Sequence, residues 1–193
     1  YCSQLLRQGR GFPLYVPGPQ RNLPQEYRRK GVSIGDVGRV TPEGIFDFFF
    51  NIYLPAEHPI NANDVPENFY PLTQYFPRDV PPLRCVHRAG FELCLYFTSD
   101  FPGGDFIFDC NAPRGAVLAL PHGSQLTKLE NLEHMRRYAS EHAESWYKYI
   151  NGARGRGLAN GSLYLVTGCE KSRSWGMAAF QDVTTEPTFQ LSF

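Results

Sequence analysis

Residues 127–152, TKLENLEHMRRYASEHAESWYKYING, decide the fold class of this chain. Leu126, Leu129, Leu132, Met135, Ala139, Ala143, Trp146, Tyr149 and Ile150 recur every three or four positions, the spacing of one helix face. Lys128, Glu130, Glu133, Arg136, Arg137, Glu141, Glu144 and Lys148 fill the other side, so the helix is amphipathic and not membrane-spanning. Thr127 and Glu130 have the spacing of a capping box, Ser124 is an alternative cap one turn earlier, and Gly152 suits a left-handed C-terminal turn. At 1.5 Å per residue, the span from Thr127 to Ile150 predicts a helix about 36 Å long.

Downstream, the loop from Asn151 to Gly161 carries Arg154 and Arg156 between glycines. It leads into an apolar run, Ser162 to Cys169, a polar turn, Glu170 to Ser174, and a second run, Trp175 to Phe180, which together predict a β-hairpin. Upstream, Asp36–Val40 and Ile45–Ile52 flank Thr41-Pro42-Glu43-Gly44, the pattern of a type I turn closed by a left-handed residue. The second of these strands holds Phe46, Phe48, Phe49 and Phe50, so both its faces should be covered and it should be central in its sheet. Further strands are predicted at Phe91–Phe97, Asp105–Cys110, Gly115–Leu120 and Thr188–Phe193, the first three as an antiparallel meander.

Prolines set the rest. Residues 1–33, with Pro13, Pro17, Pro19 and Pro24, predict an extended arm, interrupted by one or two helical turns at Gln25–Lys30 that Gly31 ends. Between Pro55 and Pro82 a long ordered loop is expected, plugged by Phe69, Tyr70, Tyr75 and Phe76; loops of such length are often functional. The sum is an α+β domain over residues 1–193: an antiparallel sheet with one long amphipathic helix packed across it and an extended Pro-rich N-terminal arm.

Composition narrows the function classes. Aromatic residues make up 15% of the chain, including 15 Phe and 11 Tyr, which favours sheet-rich packing. The formal net charge is zero, which removes the electrostatic basis for nucleic acid as a partner. No apolar run is long enough for a transmembrane helix, so no stable membrane span is expected. The odd count of five cysteines, Cys2, Cys85, Cys94, Cys110 and Cys169, lacks C-x-x-C pairing and predicts reduced thiols and a cytoplasmic location. Asn160-Gly161-Ser162 has the glycosylation pattern, relevant only in the secretory pathway.

No strong chemical motif emerges. Cys169, at a strand end, can act as a nucleophile only with a histidine brought to it, and a buried structural thiol is the simpler reading. Cys85-Val86-His87 offers two ligands where zinc needs four, and His134 and His142 stand too far apart on the helix for one ion. His122, before the helix, has the better position for an acid or base. The Arg154 and Arg156 loop has a composition that wraps phosphate or carboxylate but lacks the P-loop ending. The turn residues Lys171 and Arg173 and the flat face of Trp175 complete the candidate ligand site: Trp175, Arg173, Lys171, Arg154 and Arg156. No catalytic set, metal site or cofactor is indicated.

Several segments together resemble a known family. His142-Ala143-Glu144-Ser145-Trp146-Tyr147, Asn151-Gly152, Asn160-Gly161-Ser162-Leu163-Tyr164-Leu165-Val166-Thr167-Gly168-Cys169-Glu170-Lys171 and Ser174-Trp175-Gly176 are similar to uncharacterised proteins of mushroom-forming (basidiomycete) fungi. Gly11–Pro17, Gly35–Gly38, Gly44–Ile52 and Gly115–Pro121 resemble them too, in the same order. In some members the segment is an N-terminal part of larger proteins with a nucleotide-binding module of the kind found in innate-immunity-like receptors. The resemblance implies a cytoplasmic domain with a sensing or effector role and supplies no catalytic residues.

The leading expectation is therefore a non-enzymatic signalling module that binds a protein or small-molecule partner. The alternatives are a small hydrolase or transferase using Cys169 or His122, and a membrane-acting defence or toxin-like protein whose Leu163–Phe180 hairpin would leave the sheet.

Overall fold

The computed structural model describes residues 2–6, 11–80, 85–89, 105–109, 114–120, 122–180 and 188–192. In chain order the elements are α1 (Cys2–Leu5), α2 (Gln25–Lys30), β1 (Asp36–Val40), β2 (Phe46–Asn51), β3 (Pro77–Val80), β4 (Cys85–Ala89), β5 (Asp105–Asp109), β6 (Gly115–Leu120), β7 (Gln125–Leu129), α3 (Leu132–Asn151), β8 (Tyr164–Leu165), β9 (Gly168–Lys171), β10 (Gly176–Phe180) and β11 (Thr188–Ser192). Antiparallel sheets plus helices make this the α+β class. Two compact units share the chain: a helical unit, Leu14–Val80 with Thr127–Cys169, and a sheet unit, Tyr1–Pro13 with Pro81–Leu126 and Glu170–Phe193. Each unit is built from separated segments, so no single linker marks the boundary in the sequence.

The helical unit is organised by the β1–β2 hairpin. Gly44 takes φ 78°, its N–H donates to Thr41 O at 2.9 Å, and Thr41 N–H donates to Ile45 O at 2.9 Å, closing the predicted turn. Val37 pairs with Phe50 but Gly38 pairs with Phe48, so Phe49 is an extra residue and the ladder bulges there. The bulge resets the alternation of the strand. Phe46 and Phe48 pack with Tyr27 and Ile60 in one cluster, whereas Phe49 and Phe50 enter the other, with Ile34, Val37, Ile52, Leu129, Met135, Trp146, Ile150 and Leu158. Within the latter, Phe50 meets Phe69, Trp146 and Tyr149 edge-on, at 5.8, 5.7 and 6.4 Å between ring centroids.

The long helix is present but begins later than its pattern suggests. Thr127, Lys128 and Leu129, expected in its first turn, instead belong to strand β7. Leu126 and Leu129 are buried in the strand, whose backbone is held between β3 and β9, and Leu129 N–H donates to Thr167 O, just before β9, at 2.9 Å. Thr127 does not cap; its hydroxyl donates to Asp79 at 2.9 Å. Asn131 precedes α3 without a side-chain capping bond, and the 20 residues of the helix span about 30 Å. Met135, Trp146 and Ile150 are its buried residues, with Leu132 and Ala139 packed at the margin of the same core, so the predicted face is the one that packs.

Other expectations are corrected by strand pairing. β2, expected to be central, stands at the end of the order β2-β1-β8, although all six of its residues are buried. The run Ser162–Cys169 splits. β8 pairs with β1 and Val166 N–H donates to Asp36 O, after which β9 joins the order β3-β7-β9. β10 pairs with β6, so the hairpin expected over Leu163–Phe180, and with it the strand pair named for membrane insertion, does not form. β6 lies between β4 and β10 and β5 pairs with β11, so β5 and β6 are not neighbours as the expected meander required. Phe91–Phe97 lies outside the described residues. The extended arm over 1–33 is not a single feature: Cys2–Leu5 is helical, while Leu14, Leu23 and Val32 pack against the Tyr27 cluster. α2 has the predicted bounds, and Gly31 ends it at φ 66°. No helix among the described residues is long and apolar enough to cross a membrane.

Candidate functional site

Four constellations carry polar or exposed aromatic chemistry. The most buried centres on Asp36 in the helical unit. Its carboxylate accepts from Ser33 N–H at 2.7 Å, the Asn51 amide at 2.7 Å and the Tyr27 hydroxyl at 3.1 Å. Burial pushes the Asp36 carboxyl up to about 7 against these three donors, and burial together with the Asp36 charge raises the Tyr27 phenol. The Asn51 amide also donates to Ile34 O, while Asn51 O and N–H are both bound by the Asn61 side chain. Every member has a partner, so this network fixes the geometry of the hairpin base.

The glycine-rich loop after α3 is held, not free. Arg154 N–H donates to Tyr149 O at 3.1 Å and Arg156 N–H to Ile150 O at 3.0 Å, so the loop curls back on the helix end. The Asn151 amide clasps Leu158 at both its N–H and its carbonyl. The Arg154 side chain, 16% exposed, donates to both oxygens of Asp64 and to Phe49 O, and its guanidinium lies 5.5 Å from the ring centroids of Phe49 and Tyr149. The Tyr149 hydroxyl donates to Asp64 as well. Burial opposes the Asp64 charge, but the hydrogen bonds from Arg154 and Tyr149 and the charges of Arg154 and Arg156 outweigh it and hold that carboxyl below its ordinary range. Arg154 is thus committed to internal partners. Arg156 is different: at 42% exposed, it lies 3.9 Å from Asp47 and 6.0 Å from the Phe49 centroid. Arg39 Nε donates to the same buried Asp47 at 3.0 Å.

The proline-rich segment from Phe69 to Val80 divides its aromatics. Phe69 plugs the core against Phe50, whereas Tyr70 is 72% and Phe76 58% exposed, with Tyr75 also exposed. The backbone beneath them is pinned: Tyr70 O accepts from the Tyr138 hydroxyl, Gln74 O from the Asn131 amide at 2.8 Å and Phe76 O from Glu130 N–H at 3.0 Å. Tyr75 stacks on Tyr53 with ring centroids 4.8 Å apart.

In the sheet unit the turn before β10 gathers polar side chains. His122 Nδ1 lies 2.6 Å from Ser174 Oγ, Ser124 Oγ donates to Glu170 at 2.5 Å, and Ser172 Oγ donates to the carbonyls of Gly123 and Ser174. Lys171 and Arg173 stand in or beside this turn, and Trp175 is exposed just before β10. The five predicted ligand residues therefore fall into two units: Lys171, Arg173 and Trp175 in one, Arg154 and Arg156 in the other. Neither Cys2 nor Cys169 is in a disulfide; the Cys2 thiol donates to Pro13 O, and Cys169 lies in electrostatic range of the Tyr27 and Tyr75 hydroxyls. No group of three metal-ligating side chains occurs among the described residues.

Sequence reasoning missed Asp36, Asp47, Asn61 and Asp64, because an isolated acid or amide in an aromatic or proline-rich run carries no periodic signal. The one usable cue was Asp47 inside a run of phenylalanines, where a buried carboxylate requires a cationic partner. No family model, curated protein or solved structure matches this chain.

Proposed function

We propose that the chain is a binding and signalling module of a cytoplasmic fungal protein, acting by recognition of a protein or small-molecule partner. One observation carries the reading: Tyr70, Tyr75 and Phe76 expose aromatic surface from a segment whose carbonyls are tied down by Tyr138, Asn131 and Glu130. Exposed aromatics on a fixed backbone lose little entropy on binding, which is how recognition surfaces gain affinity. Trp175, with Lys171 and Arg173 close to it in sequence, is a second such surface in the sheet unit. The test compares the wild type with a Tyr70→Ser, Phe76→Ser double variant of equal melting temperature in pull-downs from fungal extract. A partner retained by the wild type, lost by the variant and rebinding when purified supports the reading. An identical set of proteins on both sinks it.

A second reading, a small hydrolase or transferase, is favoured by the 2.6 Å contact between His122 Nδ1 and Ser174 Oγ, a base and a hydroxyl within hydrogen-bond reach. In this reading Ser174 takes the place expected for Cys169. Covalent labelling of Ser174 by a fluorophosphonate, abolished in His122→Ala, is its expected signature; an unlabelled Ser174 ends it.

A further inference from the structure

We propose that Arg39 and Arg156 form a seat for a phosphate group, free or as a monoester, on the helical unit. Two guanidiniums converge on one carboxylate: Arg39 Nε lies 3.0 Å and Arg156 Nη1 3.9 Å from Asp47 Oδ2, and the Asp47 side chain is only 6% exposed. The acid is thus spent beneath the pair while both arginines reach solvent. Arg39 Nη1 further donates to the backbone carbonyl of Arg156 at 3.4 Å, which ties the Arg39 side chain to the loop that carries Arg156. Among the described residues nothing accepts from Nη2 of Arg39 or from Nε and Nη2 of Arg156.

Arg39, Arg154 and Arg156 face Asp47 and Asp64, and the exposed Glu43 carboxylate balances the third positive charge, so the seat rests on the geometry of its donors and not on an excess of charge. Gln20 donates weakly to Asp47 at 3.5 Å, and Glu43, within electrostatic range of Arg39, is held by Thr41 and its own backbone N–H. Access is open as well. Gly155 and Gly157 flank Arg156 at φ 59° and 60°, and nothing lies within 4 Å of where a Cβ would stand on either. The loop needs little reordering, since Arg154 and the Asn151 clasp already fix it.

The ligand class follows from the donors. A single guanidinium fork satisfies a planar carboxylate, but here the uncommitted N–H groups come from two separate guanidiniums, which suits the divergent oxygens of a tetrahedral phosphate. This seat uses no residue of the aromatic surface at Tyr70 and Phe76, so the two proposals stand or fall separately.

The experiment is calorimetric titration of the whole chain with orthophosphate and with O-phosphoserine at constant ionic strength. Saturable binding in the range of about 0.1–1 mM is expected. Arg156→Gln, which removes a long ion pair to Asp47, itself still held by Arg39, and a ring contact, should weaken it at least tenfold, with Arg156→Lys restoring part, because a point charge replaces the fork. Equal or tighter binding of phosphoserine assigns the monoester, and binding of orthophosphate alone assigns the free ion. Absence of saturable heat with both ligands, or unchanged binding by Arg156→Gln, overturns the proposal. The Tyr70→Ser, Phe76→Ser variant should bind phosphate normally, so failure of one surface is distinguishable from failure of the other.

Discussion

The side chain of Asn61 holds the backbone of Asn51 as a neighbouring strand would: its Oδ1 accepts from Asn51 N–H at 2.8 Å and its Nδ2 donates to Asn51 O at 3.0 Å. The same Nδ2 also lies 2.9 Å from Leu54 O and 3.1 Å from Pro55 O. β2 is at the end of its sheet yet wholly buried, so its outer backbone groups reach no solvent and need an internal partner. Asn61 supplies one at the strand end, and Arg154, through Phe49 O, supplies another at the bulge. The device blunts an edge without spending a strand on it.

Asn61→Ala should therefore cost about 2–4 kcal/mol, because it strands a donor and several carbonyls in the interior. Asn61→Asp should be no better, since a carboxylate repels the three carbonyls the amide serves. Urea unfolding monitored by Trp146 fluorescence measures both. A loss under about 0.5 kcal/mol in the alanine variant would show that the edge does not need the amide.

Asp36 gives the fold a pH dependence of defined sign. Its folded carboxyl lies near 7 and its unfolded one near the ordinary value of about 3.9, so the unfolded chain ionises first as pH rises. Stability from this group is full below about pH 4 and is lost progressively toward pH 7, by up to roughly 4 kcal/mol. Asp36→Asn should abolish that slope. It should also start lower at pH 4, because its amide then meets the Asn51 amide donor to donor. Denaturant midpoints between pH 4 and 8 decide: a wild type that grows more stable across that range contradicts the assignment.

Arg154 joins three elements, the end of α3 at Tyr149, the outer edge of β2 at Phe49 and the loop at Asp64. Arg154→Ala should destabilise by about 2–4 kcal/mol through lost ring packing and an orphaned carbonyl, and Arg154→Lys by about half as much, since the ammonium cannot serve all three partners. The Asp64 carboxyl is held below its ordinary value, so its contribution is present above about pH 4 and lost as pH falls through the folded value. Acid unfolding of Asp64→Asn should accordingly show a shallower pH dependence below pH 4 than the wild type.

What was legible in the sequence was local. The β1–β2 turn followed from Pro42 and Gly44, and the buried face of α3 followed from the spacing of Met135, Trp146 and Ile150. Pairings between distant segments were not legible. Nothing in Gly176–Phe180 signals that it pairs with Gly115–Leu120 and not with the run just before it, because both are short apolar strands joined by a permissive turn. The start of α3 was misplaced because Leu126 and Leu129, three apart, satisfy one helix face and also a strand covered on both faces, where they point to opposite sides. The Asn61 and Arg154 contacts were invisible for a simpler reason: each polar side chain meets its partner across a loop whose path the sequence does not dictate.

The bulge at Phe49 was hidden by its own composition, since four phenylalanines within five residues give no alternation to break. Gly38 is what permits it. A Cβ on Gly38 would stand 2.5 Å from Asp47 O and 2.5 Å from the Phe46 ring, and one of those contacts is backbone, which cannot rotate away. Gly38→Ala must either push β1 from β2 or drive Phe46 out of its cluster with Tyr27, Phe48 and Ile60. Either route costs about 1–3 kcal/mol, the range for overpacking a filled core. The two routes separate spectroscopically. Splaying the strands exposes the amides of Val37 and Arg39 to hydrogen exchange, whereas displacing Phe46 leaves exchange unchanged and alters the Tyr27 ring environment. Gly38→Ala with wild-type stability, exchange and Tyr27 signals would mean that the ladder regains straight register there, with Phe49 paired and the two phenylalanine clusters not set by the bulge.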